Sequence, residues 1–178
     1  MKQNRPSEAF NSLTSERIQR RNQVHNICRQ FSRSPSRGNL ARLKSLFAHV
    51  GDDVFIEQGF YCDYGHKISL GHRVYLNINC TLLDGGMITI GDDCLIGSNV
   101  QILTVNHATS AKERLQKTNF ASDISIGNNV WIGAGVIILP GISIEDGAVI
   151  GAGSVVSRQV QANCLYAGNP ARKIHPLE

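Results

Sequence analysis

Ile124-Ser125-Ile126-Gly127-Asn128-Asn129-Val130-Trp131-Ile132-Gly133-Ala134-Gly135-Val136-Ile137-Ile138 decides the fold of this chain. Every sixth residue in it is apolar and β-branched (Ile124, Val130, Val136), and the period runs on through Ile142, Ala148 and Ser154. Towards the N-terminus the same step joins Ile56, Cys62, Ile68, Val74 and Cys80. After a two-residue insertion around Asp84-Gly85-Gly86 it resumes at Ile88, Cys94 and Val100. Three residues after these positions stands Gly in eight cases: Gly59, Gly65, Gly71, Gly91, Gly97, Gly127, Gly133 and Gly151. A unit this short cannot bury its apolar side chain alone, so the copies must stack.

A period of six fits an inward side chain, a short flat strand and a sharp turn. Gly is expected at the turn because it accepts a positive φ without a Cβ clash. Three such sides close a triangular coil of about 18 residues, and coils stack about 4.8 Å apart through backbone hydrogen bonds. The period therefore predicts an all-β solenoid of about five coils. So narrow a prism admits only small or β-branched side chains, in keeping with 6% aromatics and 17 Gly. Cys62, Cys80 and Cys94 fall in the inward register and read as small hydrophobes.

Composition removes several classes. No apolar run approaches the ~18 residues that cross a bilayer. Met1–Pro6 is positively charged with no apolar stretch behind it, unlike a secretory signal. The five cysteines are odd in number and lack a C-x-x-C, against a disulfide framework or zinc ribbon and in favour of a reducing cytoplasm. The net charge of +4 hides an asymmetry: residues 1–50 hold ten Lys/Arg and two acids, residues 51–178 eight and twelve. Apolar residues at helical spacing predict a helix from Ser15 to Phe31, and Leu40, Leu43, Leu46 and Phe47 a second over roughly Asn39 to His49. This basic arm has two readings, contact with nucleic acid or a phosphorylated ligand, or helices with a solvated basic face. The second is the expectation, with no nucleic-acid or membrane partner. The division is an arm over 1–52 and a solenoid over 53–178.

Phe60-Tyr61-Cys62-Asp63-Tyr64-Gly65, Tyr75-Leu76-Asn77-Ile78-Asn79-Cys80, Thr104-Val105-Asn106-His107, Ile126–Gly133 and Gly168-Asn169-Pro170-Ala171-Arg172 occur in that order. With the repeat, they resemble the hexapeptide-repeat acyltransferases, in particular the maltose/galactoside O-acetyltransferase subfamily, over residues 8–175. The resemblance implies a left-handed parallel β-helix with a short helical N-terminal arm. It also implies a homotrimer with active sites between subunits, and a cyclic trimer is a symmetric way to cover flat prism faces.

The repeat breaks between Val100 and Ile124, and the break holds His107 in an excursion loop over about 105–121. Loops inserted into a solenoid gather on one face and carry function, and imidazole suits proton transfer at neutral pH. The resemblance implies that His107 is the general base of an acetyl-CoA-dependent O-acetyltransferase acting on a sugar hydroxyl, by direct attack on the thioester. It carries acceptor roles onto Asn77, Tyr75, Asp63 and Asp84, and onto Arg17 and Glu8 of the arm. Asn77 can equally be read as a turn residue, since it stands where Gly usually does. On the donor side the backbone of Ala134 and Ala152 would meet the thioester arm. Ser157, Arg158, Arg172, Lys173 and His175 would face the nucleotide and its phosphates. Two positions depart from the family: Ala108 replaces the usual Pro after His107, and Gly85 replaces a second acid after Asp84.

No metal is expected, because no second His lies within five residues of His107 and His66 and His72 fall on successive prism faces. The alternatives are an antibiotic or other small-molecule acetyltransferase on the same fold, a non-catalytic scaffold, or a nucleic-acid contact through the arm.

Overall fold

The computed structural model describes residues 8–177, so the charged Met1–Pro6 lies outside it. Parallel strands form three faces of a prism. The first face holds His49–Val50, Ile68–Leu70, Ile88–Ile90, Ile124–Ile126 and Ser143–Ile144. The second holds Phe55–Ile56, Tyr75–Leu76, Leu95–Ile96, Trp131–Ile132, Val149–Ile150 and Cys164–Ala167. Tyr61–Cys62, Thr81–Leu83, Gln101–Leu103, Ile137–Ile138 and Val155–Val156 make the third. The chain visits the faces in turn, making the parallel β-helix expected. Each coil bonds the next through bonds such as Tyr75 N–H to Cys94 O and Leu95 N–H to Val130 O, both 2.9 Å.

Two residues per repeat point inward, two apart, as pleating requires. Val74 and Leu76, Cys94 and Ile96, Val130 and Ile132 are all buried. This corrects the six-step register. Ile56 and Cys62 occupy the second inward position, whereas Ile68, Val74 and Cys80 occupy the first. A two-residue insertion between Cys62 and Ile68 separates them, matching the one at Asp84–Gly86. The early coils accordingly repeat every 20 residues (His49, Ser69 and Thr89 in register) and the later ones every 18 (Ser125 with Ser143). Both insertions and the excursion fall at one corner, between the third face and the first.

The glycines also need correcting. Only Gly59 and Gly65 of the eight have positive φ. Five of the others stand where coils approach too closely for a side chain: a Cβ on Gly97 would lie 2.6 Å from the Ala134 nitrogen. Left-handed turns fall instead on Arg73, Asn79, Asp93, Asn99 and Asn129. Burial pushes the Cys80 and Cys94 thiols up to about 11, so at neutral pH they stay uncharged fillers of the core.

The arm packs on the first coils. Helix α1 (Ser15–Arg33) starts at Thr14, whose hydroxyl accepts from the Arg17 N–H, and α2 (Arg37–Lys44) starts at Ser36, which caps Asn39. Val24, Cys28, Phe31 and Leu43 are buried in the same core as the prism's aliphatics. Helix α2 ends before His49, which pairs with Ser69 as a strand. The excursion is an ordered hairpin rather than an irregular loop. Val105–His107 pairs antiparallel with Thr118–Ala121, a short helix α3 (Ala111–Arg114) sits between, and Glu8–Asn11 adds a third strand.

Candidate active site

The irregular corner carries a cleft of about 290 Å³. Phe10 and Ser12 come from the N-terminal strand and the turn after it, and Arg21 and His25 from α1. Asp63, Tyr64 and Leu83 come from the prism corner, and Val105, His107 and Asn119 from the hairpin. His107 is exposed, in register with the buried Asn119. It also borders a second cleft of about 560 Å³ with Leu13, Ala111, Arg114, Leu115 and Lys117, so its imidazole stands on the wall between the two.

Arg21, His25 and Asp63 are tied into a network. Arg21 donates to Ser12 O at 3.0 Å and to the Tyr64 hydroxyl at 3.1 Å. The Arg17 guanidinium lies 4.7 Å from the Phe10 ring centre and 5.7 Å from that of Tyr64. His25 Nε2 is 3.2 Å from Asp63 Oδ1, and the Tyr61 hydroxyl lies 2.7 Å from Nε2 and 3.0 Å from Nδ1. Arg20 donates to Tyr64 O at 2.9 Å. Several cations of the basic arm are thus spent on building this corner.

Asp84 lies beneath the cleft and is fully buried. Its Oδ1 accepts the N–H groups of Asp63 (3.0 Å) and Tyr64 (2.9 Å), while Oδ2 has no partner among the described residues. Burial pushes its carboxyl above the ordinary value, against the pull of those backbone bonds. Asp84 meets the cleft through the turn it holds rather than by direct exposure. Glu8 stands at the far end of the N-terminal strand, opposite Ala121, and does not line the cleft.

Both departures from the family have a structural counterpart. Ala108 leaves the turn after His107 without a proline, and Arg114 donates from one guanidinium nitrogen to Ala108 O (3.1 Å) and Thr109 O (2.6 Å). At Gly85 a Cβ would strike a Val105 methyl and lie 3.1 Å from a Phe10 ring carbon, so those residues fill the space an acid would take.

Tyr75 and Asn77 belong to a different corner, where the second face meets the third. Asn77 stands at the turn, as Gly does in other coils, but is not left-handed; that conformation falls on Asn79. Its N–H donates to Ile96 O at 3.0 Å and its Oδ1 accepts from the Ile78 N–H at 2.7 Å. Gly97 and Gly133 continue the column, one per coil, followed in the later coils by exposed Ala134–Gly135 and Ala152–Gly153 backbone. No acceptor among the described residues meets the N–H of Ala134 or Ala152. Gly135 and Gly153 have open space where a Cβ would be. Arg172, opposite Ala167 on the last strand, is near this corner. Lys173 donates to Gln161 Oε1 at 3.0 Å, and His175 sits further along opposite Leu165. Ser157 and Arg158 are exposed on the corner between the third face and the first, the same corner as His107 but in the last full coil. The structure therefore splits the expected residues into a His107 corner and an Ala134 corner of the same prism.

Sequence reading overlooked His25, Arg21, Tyr61, Tyr64 and Asn119. A signal for two of them was present: Arg17, Arg21 and His25 are four apart and share one side of α1. Among the described residues no three His, Cys, Asp or Glu side chains converge to hold a metal ion, and no helix is long and apolar enough to cross a membrane.

A parallel β-helix with an inserted, histidine-bearing hairpin is an architecture of acyltransferases, and the comparisons with known proteins agree. The family described as "Bacterial transferase hexapeptide (six repeats)" matches residues 123–158, and "Hexapeptide repeat of succinyl-transferase" matches residues 87–105. The galactoside O-acetyltransferase of Escherichia coli K12 is 40% identical over 135 residues, 76% of this chain and 66% of that protein. A crystal structure of a maltose O-acetyltransferase from Clostridium difficile 630 superposes with a TM-score of 0.93 at 36% identity, covering 97% of this chain and 94% of that one. A galactoside acetyltransferase in complex with coenzyme A gives 0.91 at 35% identity, covering 96% and 87%. The chain belongs to the hexapeptide-repeat acyltransferases, in the branch of the maltose and galactoside O-acetyltransferases.

Proposed function

We propose that this protein transfers an acetyl group from acetyl-CoA to a hydroxyl of a sugar of the maltose, glucose or galactoside type. The observation that carries the reading is His107, which projects from an inserted hairpin into the wall between two clefts and faces a polar corner across one of them. The acetyltransferase relatives, one of them holding coenzyme A, support the donor.

His107 takes the proton of the acceptor hydroxyl as its oxygen attacks the thioester carbonyl. The tetrahedral oxyanion is met by a backbone N–H, and that of Ala134 has no acceptor among the described residues. Collapse breaks the C–S bond, and the imidazolium returns its proton to the leaving thiolate, giving an acetyl ester and free coenzyme A. Asp63, Asn77 and Tyr75 hold the acceptor, with Asp84 and Arg17 supporting it from below and from the arm. Ala152 continues the thioester arm's track, and Ser157, Arg158, Arg172, Lys173 and His175 supply polar and cationic groups for the nucleotide end.

His107 and Ala134 stand on different corners of one prism, so a single chain does not complete this site. Three copies in a ring, each bringing its Ala134 corner to a neighbour's His107, would complete it. The outward row of the second face supports such packing: Phe55, Leu95 and Trp131 are exposed and stacked in register with Tyr75 and Val149. The described part of the arm, as far as the strand at His49, then belongs to the acceptor side and the prism from His49 onward to the transferase proper. Five buried, unpaired cysteines suit a reducing cytoplasm.

Release of free thiol from acetyl-CoA against maltose, glucose, galactosides, an amino sugar and chloramphenicol, with a no-acceptor control, tests the reading. Release that depends on a sugar is expected. Release with chloramphenicol alone would move the protein to the antibiotic acetyltransferases. No binding of acetyl-CoA would end the transferase reading.

A further inference from the structure

We propose that His25 is a positioning residue for the acceptor, holding Asp63 so that one carboxylate oxygen faces the hydroxyl groups of the sugar. The inference rests on the acetyl transfer proposed above, and it adds a residue of the helical arm to the specificity of the acceptor cleft.

The geometry starts from helix α1. Arg17, Arg21 and His25 lie along one side of it, and Arg21 and His25 line the 290 Å³ cleft that also holds His107. The carboxylate of Asp63 can only accept, so the proton between Asp63 Oδ1 and His25 Nε2, 3.2 Å apart, belongs to the imidazole. The Tyr61 hydroxyl lies 2.7 Å from the same Nε2 and 3.0 Å from Nδ1, so with the proton on Nε2 it is Nδ1 that can accept from it. Burial, with the Asp63 charge second, raises the Tyr61 pKa, which keeps this hydroxyl protonated and able to donate. The rings of His25 and Tyr61 are 4.6 Å apart, so packing as well as hydrogen bonding fixes the imidazole.

Asp63 is held from two sides. Its backbone N–H is bonded to the buried Asp84, and its Oδ1 to His25. A quarter or so of the side chain stays exposed (23%, against 18% for His25). That leaves Oδ2 as the carboxylate oxygen with capacity for an acceptor hydroxyl, on the wall across from the imidazole of His107. An untethered Asp63 would swing among rotamers and meet a sugar with lower probability, and binding would suffer rather than the chemical step.

The experiment measures acetyl transfer to maltose and to a methyl galactoside by wild type, His25→Ala, His25→Gln, Asp63→Asn and the double variant His25→Ala/Asp63→Asn. The acceptor KM should rise about tenfold or more in His25→Ala, as for loss of a hydrogen bond to a charged group. The KM for acetyl-CoA and kcat should stay within about twofold. His25→Gln, whose amide nitrogen reaches the place of Nε2, should recover most of the loss. The double variant should be no worse than Asp63→Asn alone. An unchanged acceptor KM in His25→Ala, a fall in kcat instead, or additive single effects would overturn the proposal. Should His25→Ala fail to fold, the same decision rests on His25→Gln retaining a near wild-type KM while Asp63→Asn loses it. Equilibrium binding of the same sugars, read by saturation-transfer NMR, separates the two levels. If wild type binds a sugar without turning it over, the transferase reading fails, and His25 is judged by whether His25→Ala weakens that binding. If wild type neither binds nor acetylates any of them, both fall.

Discussion

Removing the Asp84 side chain should cost the protein more than removing its charge. Oδ1 accepts two backbone N–H groups, of Asp63 at 3.0 Å and Tyr64 at 2.9 Å, in a fully buried place. Asp84→Ala leaves both donors without an acceptor, at about 1–3 kcal/mol each, partly offset by relief from burying a carboxyl whose Oδ2 has no partner among the described residues. A net loss of about 3 kcal/mol is expected, which in a chain of this size is a fall in Tm of roughly 6–12 °C. Asp84→Asn keeps a carbonyl for the two N–H groups and should lose only about 1 kcal/mol. The two variants also separate by pH. Burial raises the Asp84 pKa above its ordinary 3.8, so between 3.8 and the raised value the folded state holds a proton the unfolded state has released. Its contribution to stability is fully present below 3.8 and is lost as pH rises through the folded value. Wild type should therefore gain on Asp84→Asn as the solution is acidified from neutral towards pH 4. The assay is thermal unfolding of the three proteins across that range at one fixed protomer concentration, since assembly shifts Tm. A loss in Asp84→Asn equal to that in Asp84→Ala, or a wild-type advantage that does not change with pH, would refute the reasoning.

Two further perturbations probe the prism. Gly97→Ala places a Cβ 2.6 Å from the Ala134 nitrogen and 2.8 Å from the Gly133 carbonyl carbon, so coils must part. It should lower stability by about 2–3 kcal/mol and reduce kcat by displacing the Ala134 N–H. Gly135→Ala, in open space but at φ +70, should cost only about 1–2 kcal/mol, and equal melting losses in the two would argue against crowding. Leu95→Arg puts a charge in the outward row of the second face and should convert a trimer to monomers in sedimentation with the circular dichroism unchanged. A wild type that sediments as a monomer would contradict the assembly.

The solenoid was legible because the same inward chemistry recurs every six residues, from Ile124 to Ser154 without a break. The exact register was not. Two positions per repeat point inward, and a two-residue insertion preserves the alternation of faces, so the one between Cys62 and Ile68 left no mark on a six-residue count. The glycines were visible, but their cause was mistaken: Gly97 is required by the neighbouring coil, whereas Asn79 and Asn99 carry the turns. His107 stood out by lying where the period fails. The strand Glu8–Asn11 was illegible, since its partner Thr118–Ala121 is more than a hundred residues away and neither segment alternates clearly. His25 was hidden among arginines that read as a solvated basic helix, although Arg21 and His25 turn towards Tyr64 and Asp63. That Asn77 and His107 occupy different corners depends on coil stacking, which spacing along the chain does not reveal.

The central claim is that His107 takes the proton of the acceptor hydroxyl. The most direct test is the turnover of acetyl-CoA with the best sugar acceptor by His107→Ala beside wild type, with the acetylated product identified by mass spectrometry. The account predicts a kcat lowered by about 10²–10⁴, with acetyl-CoA binding and Tm unchanged. Wild-type turnover by His107→Ala would contradict it.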